Sequence, residues 1–223
     1  MKKILTSALV LLCVVASAQP GYYGRPSGGR PGMGHGSYGP AMDIPVYWSV
    51  LGGWNFSHIA SDDTLEDASG TRTGSYVGLG VGFQMLPNAP VILNTGLIYS
   101  GKGGVSKLSG DDLRYNLGYL EVPVTFSYRM LLSPQLAVEP SFGVYFAGGV
   151  YGNVKDYTTR TSKPAFSDNL FRRFDSGLRL GCGVNYLIFH AALHYDLGIA
   201  DICRDDFISA HNRTLSLALG FSF

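Results

Sequence analysis

The chain has 223 residues, of which only 15% are charged, and its formal net charge is +1. So little charge excludes a self-repelling disordered chain, and near-neutrality leaves no electrostatic footprint for a nucleic-acid binder. Glycine supplies 30 residues, about twice the usual share of ~7%. The mean hydropathy is +0.12, yet the only long apolar run lies at the very start.

That start has the layout of a secretory signal peptide over residues 1–18. Lys2 and Lys3 precede an apolar stretch from Ile4 to Val15, and Ala16-Ser17-Ala18 offers a small-residue cleavage site. The apolar run is too short for a spanning helix. Bulky Leu12 before Cys13 argues against a lipidation signal, so Cys13 leaves with the peptide. Cleavage leaves 15 basic residues against 16 acidic ones. Residues 19–43 then read as a flexible linker. Between Gln19 and Met42 lie eight glycines and four prolines, with Tyr22, Tyr23 and Tyr38 among them. No hydrophobic period is present, and this composition cannot bury a core. The tyrosines with Arg25 and Arg30 give the arm an alternative use as a contact surface. His35 stands alone and makes no metal site.

Residues 44–223 carry a period of two. Eight strands are predicted near 45–57, 73–86, 90–102, 113–129, 135–149, 170–186, 188–200 and 212–223. One face of each is apolar: Val77, Leu79, Val81, Phe83 and Met85 in the second, or Leu120, Val122, Val124, Phe126 and Tyr128 in the fourth. The other face is glycine-rich or polar, as with Asp175, Gly177, Arg179, Gly181, Gly183 and Asn185 in the sixth. A soluble sandwich buries its apolar face and solvates its charged one. Here the apolar face carries almost no charge over eight strands, and the opposite face is too polar for a dry core. The pattern fits an all-β, eight-stranded, antiparallel up-and-down transmembrane barrel with lipid outside. Connections alternate long (58–72, 103–112, 150–169, 201–211) and short (87–89, 130–134, near 187). This places both termini on the periplasmic side of the outer membrane of a Gram-negative bacterium. Loop acids such as Asp62, Asp63, Glu66, Asp67, Asp205 and Asp206, with Lys155 and Lys163, read as solvated charge.

Aromatic residues near the strand ends, Trp48, Trp54, Tyr99, Tyr128 and Tyr186 among them, read as an interfacial girdle. Cys182 falls low on the sixth strand and Cys203 in the last long loop. They are too far apart for a bridge of the usual ~7 Å Cα limit, so two free thiols are expected. Pro123 and Pro140 fall within strands, where each must remove a ladder hydrogen bond or mark a bulge. The chain ends with Leu215, Leu217, Leu219, Phe221 and Phe223 on one face. This resembles the last strand of outer-membrane barrels, and the resemblance implies a signal read by the barrel-assembly machinery.

Several segments resemble the PorT-like outer-membrane proteins, often labelled "porin family". They are Tyr119-Leu120-Glu121-Val122-Pro123-Val124 with Tyr128-Arg129, Asn94-Thr95-Gly96-Leu97-Ile98-Tyr99-Ser100, Phe174-Asp175-Ser176-Gly177, and Tyr195-Asp196-Leu197-Gly198-Ile199-Ala200. The resemblance spans roughly residues 44–223. It implies an eight-stranded barrel, with Pro123 part of its pattern, and it implies no single activity.

The inward charges are the chemistry-bearing candidates. Glu121, Glu139, Asp175 and Asp196 balance Lys102, Arg129, Arg173 and Arg179. The turn near 187 sets Arg179 opposite His194 or Asp196, and the turn at 130–134 sets Glu139 diagonal to Arg129. Together with His194 these residues predict a polar network that fills the interior, since a barrel of eight strands is just wide enough to be filled by side chains. Re-pairing the same residues makes a narrow channel. His190, His194 and Asp196 share a face, but alternate strand positions lie about 6.6 Å apart and no third ligand or fixed nucleophile accompanies them. No catalytic residue, metal or cofactor is therefore expected; a lipid A-modifying enzyme is the alternative from that class. The expected partners are outer-membrane lipids, the assembly machinery and an unidentified protein reached by external loops or the N-terminal arm.

Overall fold

Alternating apolar and small residues can bury neither face of an isolated strand, so the pattern forces closure of a ring. The computed structural model shows that ring. It describes residues 46–61, 70–86, 89–108, 111–157, 160–166, 171–203 and 210–223. The signal peptide, the linker and most loop acids lie outside the described residues.

The elements are β1 (Val46–Ser61), β2 (Arg72–Leu86), β3 (Ala89–Leu108), β4 (Asp111–Tyr128), β5 (Met130–Ser133), β6 (Leu136–Asp156), β7 (Thr161–Pro164), β8 (Phe174–Tyr186), β9 (Phe189–Gly198) and β10 (Ala210–Ser222). Eight of them close in the order β1-β2-β3-β4-β6-β8-β9-β10, with β10 returning to β1. Every pairing is antiparallel. The expected all-β barrel of eight spanning strands is thus the observed one. β5 is a short piece inside the predicted turn at 130–134, and β7 a short piece inside the predicted loop at 150–169; both pair with β6.

Several boundaries differ from the sequence expectation, among them the end of β1, which runs on to Ser61 rather than 57. β3 runs on to Leu108 and β4 begins at Asp111, so the predicted loop 103–112 is mostly strand. β6 runs to Asp156, and β8 starts at Phe174 rather than near 170. The long ends of β3, β4 and β6 keep pairing beyond the apolar stripe because a ladder needs only neighbouring backbone, not lipid. Gly103 sits there with φ of 135°. A Cβ at that position would meet the Tyr115 carbonyl oxygen at 2.0 Å, so glycine is required.

The two strand prolines interrupt the ring without shifting it. Between β3 and β4 the paired register skips from Thr95↔Val124 to Ile98↔Glu121, leaving Pro123 without a β3 partner. Pro123 keeps Tyr145 on its other side. Pro140 falls where β6 passes from β4 to β5, between Ser127↔Ser141 and Met130↔Val138.

Faces follow the alternation. Val77, Leu79, Leu97, Val122, Phe126, Phe142, Phe146 and Leu180 are exposed on the outer wall. Val184 departs from the pattern, being buried at 6% exposure. Trp48, Trp54, Tyr99, Tyr128 and Tyr186 all point outward and are exposed. At the short-turn end, Tyr186, Phe189 and Phe221 form a run of rings with centroids 6.5 Å and 5.5 Å apart. Leu219, Phe221 and Phe223 are exposed on the outer wall, while Leu215 and Leu217 are half-buried. Cys182 and Cys203 are free thiols.

Candidate functional site: the barrel interior

The inward faces of β3, β4, β8 and β9 bring Lys102, Glu121, Arg179, Asp196 and Asp175 to one level of the lumen. Direct register supplies the first pair, since Arg179 is opposite Asp196. Arg179 donates from Nε to Asp196 Oδ1 and from Nη2 to Asp196 Oδ2, both at 2.7 Å. Its Nη2 also donates within the lumen to Glu121. Lys102 Nζ lies 3.0 Å from Glu121 Oε2, 3.3 Å from Asp175 Oδ2 and 3.9 Å from Asp196 Oδ2. Asp175 further accepts from the Tyr145 hydroxyl at 3.2 Å and from Asn212 Nδ2 at 3.0 Å. Lys102 Nζ sits 4.0 Å from the Tyr145 ring centroid. All five charged groups are at most 2% exposed.

A second pair lies nearer the short turns, where Arg129 Nε donates to Glu139 Oε1, and the Arg129 guanidinium covers the Tyr47 ring at 4.5 Å. Arg173 corrects the expected balance. It is exposed at the foot of β8 and donates to the Gly149 carbonyl, because β8 begins only at Phe174 and Arg173 escapes its alternation. The interior ion pairs among the described residues therefore use three cations, Lys102, Arg129 and Arg179, against four carboxylates.

Above and below this level the lumen differs. On the short-turn side lies a cavity of about 100 Å³, walled by residues such as Tyr47, Asn94, Ser127, Asn185 and His190, with Arg179 at its inner end. His190 Nδ1 and Asn185 Oδ1 are 2.7 Å apart. His194 packs edge-on to Tyr76, 6.4 Å between centroids, and its Nδ1 meets no partner. The glycines of β8 make room here: a Cβ on Gly181 would lie 3.3 Å from the His194 ring, and one on Gly183 3.1 Å from His190.

On the long-loop side the lumen is capped by an apolar cluster. Ile59, Leu117, Tyr119, Tyr145 and Ala147 from the strands meet Ala165 and Ile202 from the connections, with Phe166 and Phe171 against them. Backbone bonds hold the cap down: Ala165 N donates to Gly152 O at 2.9 Å, and Arg172 N to Ile202 O at 2.8 Å. Asp201 Oδ1 accepts from the amides of Cys203 and Ala210 at 3.0 and 2.9 Å.

Among the residues predicted for the interior network, Glu121, Asp175, Arg179 and Asp196 meet in one cluster with Lys102. Arg129 and Glu139 form the separate pair, and His194 lines the cavity between. Sequence reasoning missed Tyr145, Asn212 and the cap. The signal for Tyr145 was present, since it is in phase with Glu139 on β6. Among the described residues no three His, Cys, Asp or Glu side chains are grouped to hold a metal ion.

A family model described as "Outer membrane protein beta-barrel domain" matches residues 34–204. The chain belongs to that family. The match ends before β10, whose pairing with β1 completes the ring of this outer-membrane β-barrel protein. A comparison with curated proteins found no match. Solved structures similar to it include Ail, the attachment invasion locus protein of Yersinia pestis, in complex with the heparin analogue sucrose octasulfate. Its identity is 13%, it covers 81% of this chain and 100% of that one, and the TM-score is 0.44. Neisserial surface protein A is 13% identical over 79% of this chain and 95% of that one, with a TM-score of 0.45. OprG from Pseudomonas aeruginosa is 12% identical over 81% and 97%, with a TM-score of 0.47.

Proposed function

We propose that this family member is a closed, non-conducting barrel of a Gram-negative outer membrane that acts as a structural or interaction protein. In this reading the short turns and both termini are periplasmic, the long connections are external, and the PorT-like proteins are the relevant branch. The contacts to partners come from the external loops or the N-terminal arm, and the C-terminal strand serves as the assembly signal. One observation carries the proposal: Arg179 bridges Glu121 and Asp196 within the lumen while Lys102 ties Glu121 to Asp175. Breaking such buried pairs to pass an ion leaves charge without a partner in a low dielectric. The apolar cap adds a second closure at the other end. Planar-bilayer recording of the pure protein tests this. The expected trace shows no steady steps; steady conductance by the wild-type barrel would overturn it.

A narrow channel is the second reading, and the cavity that reaches Arg179 from the short-turn end favours it. The same recording separates the two. Crosslinking in intact cells followed by pull-down addresses the partner.

A further inference from the structure

The outer wall formed by β4 and β6 changes chemistry from rung to rung. Phe146 belongs to the exposed apolar band. Toward the long-loop end, Gly118 stands opposite Tyr151, then Asn116 opposite Asn153, then Arg114 opposite Lys155. Opposed residues of an antiparallel pair share a face, so Arg114 and Lys155 both point outward, and both are exposed. Like charges directly opposite destabilise a ladder. Among the described residues neither meets a carboxylate. Arg114 instead rests on the Tyr157 ring, 5.0 Å from its centroid, and the charge acting beside it is a further cation, Arg72. By register, Asp112, two residues farther out, stands opposite Lys107.

The height of this pair decides its use. Ten residues separate outward Tyr128, at the short-turn rim, from outward Gly118. At about 3.4 Å per residue and a tilt near 40°, they climb roughly 26 Å along the membrane normal. That matches the apolar band of about 25 Å in such barrels. Arg114 stands four residues beyond, roughly 10 Å above the band's edge, and its long side chain can reach back toward that edge. A destabilising cation pair is thus held at headgroup level.

We propose that Arg114 and Lys155 clamp the phosphate of an outer-leaflet lipid. A phosphate relieves their repulsion, offers acceptors to both donors and brings acyl chains to lie along Phe146 and its apolar neighbours. The inference rests on the membrane-spanning reading with the long connections outward. It does not depend on the lumen being closed.

The test uses the full-length folded protein in detergent micelles, analysed by native mass spectrometry. A bisphosphorylated lipid A and the same lipid with its phosphates removed are titrated separately, with inorganic phosphate in a third arm. The expected result is at least tenfold tighter retention of the phosphorylated lipid, lost in the double variant Arg114→Gln/Lys155→Gln, and no displacement by inorganic phosphate at tenfold excess. Equal retention of both lipids, or unchanged selectivity in the double variant, overturns the clamp; displacement by inorganic phosphate overturns the assignment to lipid. Lys155→Glu separates binding from structure. It pairs with Arg114, so the urea midpoint of unfolding should rise while lipid selectivity falls. A variant that keeps the selectivity sinks the proposal. A barrel that conducts but retains the lipid would defeat the closed-lumen reading and leave this one standing.

Discussion

Arg179 and Asp196 face each other across β8 and β9 with two parallel hydrogen bonds of 2.7 Å. The tight turn at residues 187–188 fixes that register. The same guanidinium also reaches over β6 to Glu121 on β4, so one side chain ties β8 to strands on both of its flanks. Among the described residues, removing it as Arg179→Ala leaves Asp196 with only the Lys102 ammonium at 3.9 Å. Breaking a buried pair in this way costs about 3–5 kcal/mol. Urea unfolding of the protein in vesicles should show that loss. Arg179→Lys should recover part of it, because a point charge cannot make the two-pronged contact. An unfolding midpoint of Arg179→Ala equal to wild type would remove the network from the account of stability.

The cap over the long-loop end depends on two glycines under one ring. A Cβ at Gly149 would sit 2.5 Å from Phe166 Cζ, and one at Gly152 2.7 Å from Phe166 Cε2. Gly149→Val therefore drives Phe166 off the wall and with it Ala165, which donates to Gly152. The strands themselves should hold, since the substituted position keeps its β-region backbone. Limited proteolysis of intact cells is expected to cut the segment near residues 157–173 several-fold faster than in wild type. The folded band should still shift on heating in a gel. Equal cleavage rates in the two proteins would mean that the ring does not anchor the cap.

The strands were legible because alternation is local: each outward residue two apart in sequence is also two apart on the wall. Short turns, which fix register without tertiary knowledge, narrowed Arg179 to His194 or Asp196 and set Arg129 near Glu139; the register selects Asp196. Arg173 was misplaced because alternation was extended past the true start of β8. The meeting of Lys102, Glu121 and Asp175 was less visible. β3 and β8 are not neighbours in the ring, and their relative height depends on strand tilt and stagger, which no local pattern carries. The cap was invisible for a related reason. Ala165, Phe171 and Ile202 lie in irregular segments, where burial has no period to announce it.

Pro123 offers a test of the ladder. The register between β3 and β4 skips Gly96 and Leu97, opposite Val122 and Pro123, because proline has no N–H to donate. Hydrogen exchange in wild type should show Gly96 and Leu97 as the least protected part of the central stretch of β3. Pro123→Val supplies the missing donor and a β-branched side chain suited to a strand. Protection there should rise several-fold while that of β6, which already pairs with residue 123 through Tyr145, stays level. Unchanged exchange at Gly96 and Leu97 would show that the gap has a cause other than the missing amide.

The last residue closes the seam. Phe223 N donates to Trp48 O at 2.9 Å, and Trp48 N donates to Phe223 O at 2.8 Å. Beside them Ser222 N donates to Ile188 O at 2.7 Å, so the final two residues tie β10 to β1 on one side and to the turn before β9 on the other. Deleting Phe223 removes both bonds to Trp48 and an outward aromatic that is 68% exposed. Two net hydrogen bonds amount to about 1–3 kcal/mol, and they lie at the seam between the first and last strands. The deletion should lower the unfolding midpoint modestly. If the exposed Phe223 ring is also read during assembly, it should slow insertion by much more than the stability loss accounts for. Phe223→Ala separates the two effects, since it keeps the backbone bonds and loses only the ring. Following the heat-shifted band over time after a pulse of synthesis measures both variants. Slow insertion in the deletion but not in Phe223→Ala assigns the effect to seam hydrogen bonds alone, whereas slow insertion in both assigns it to the aromatic side chain.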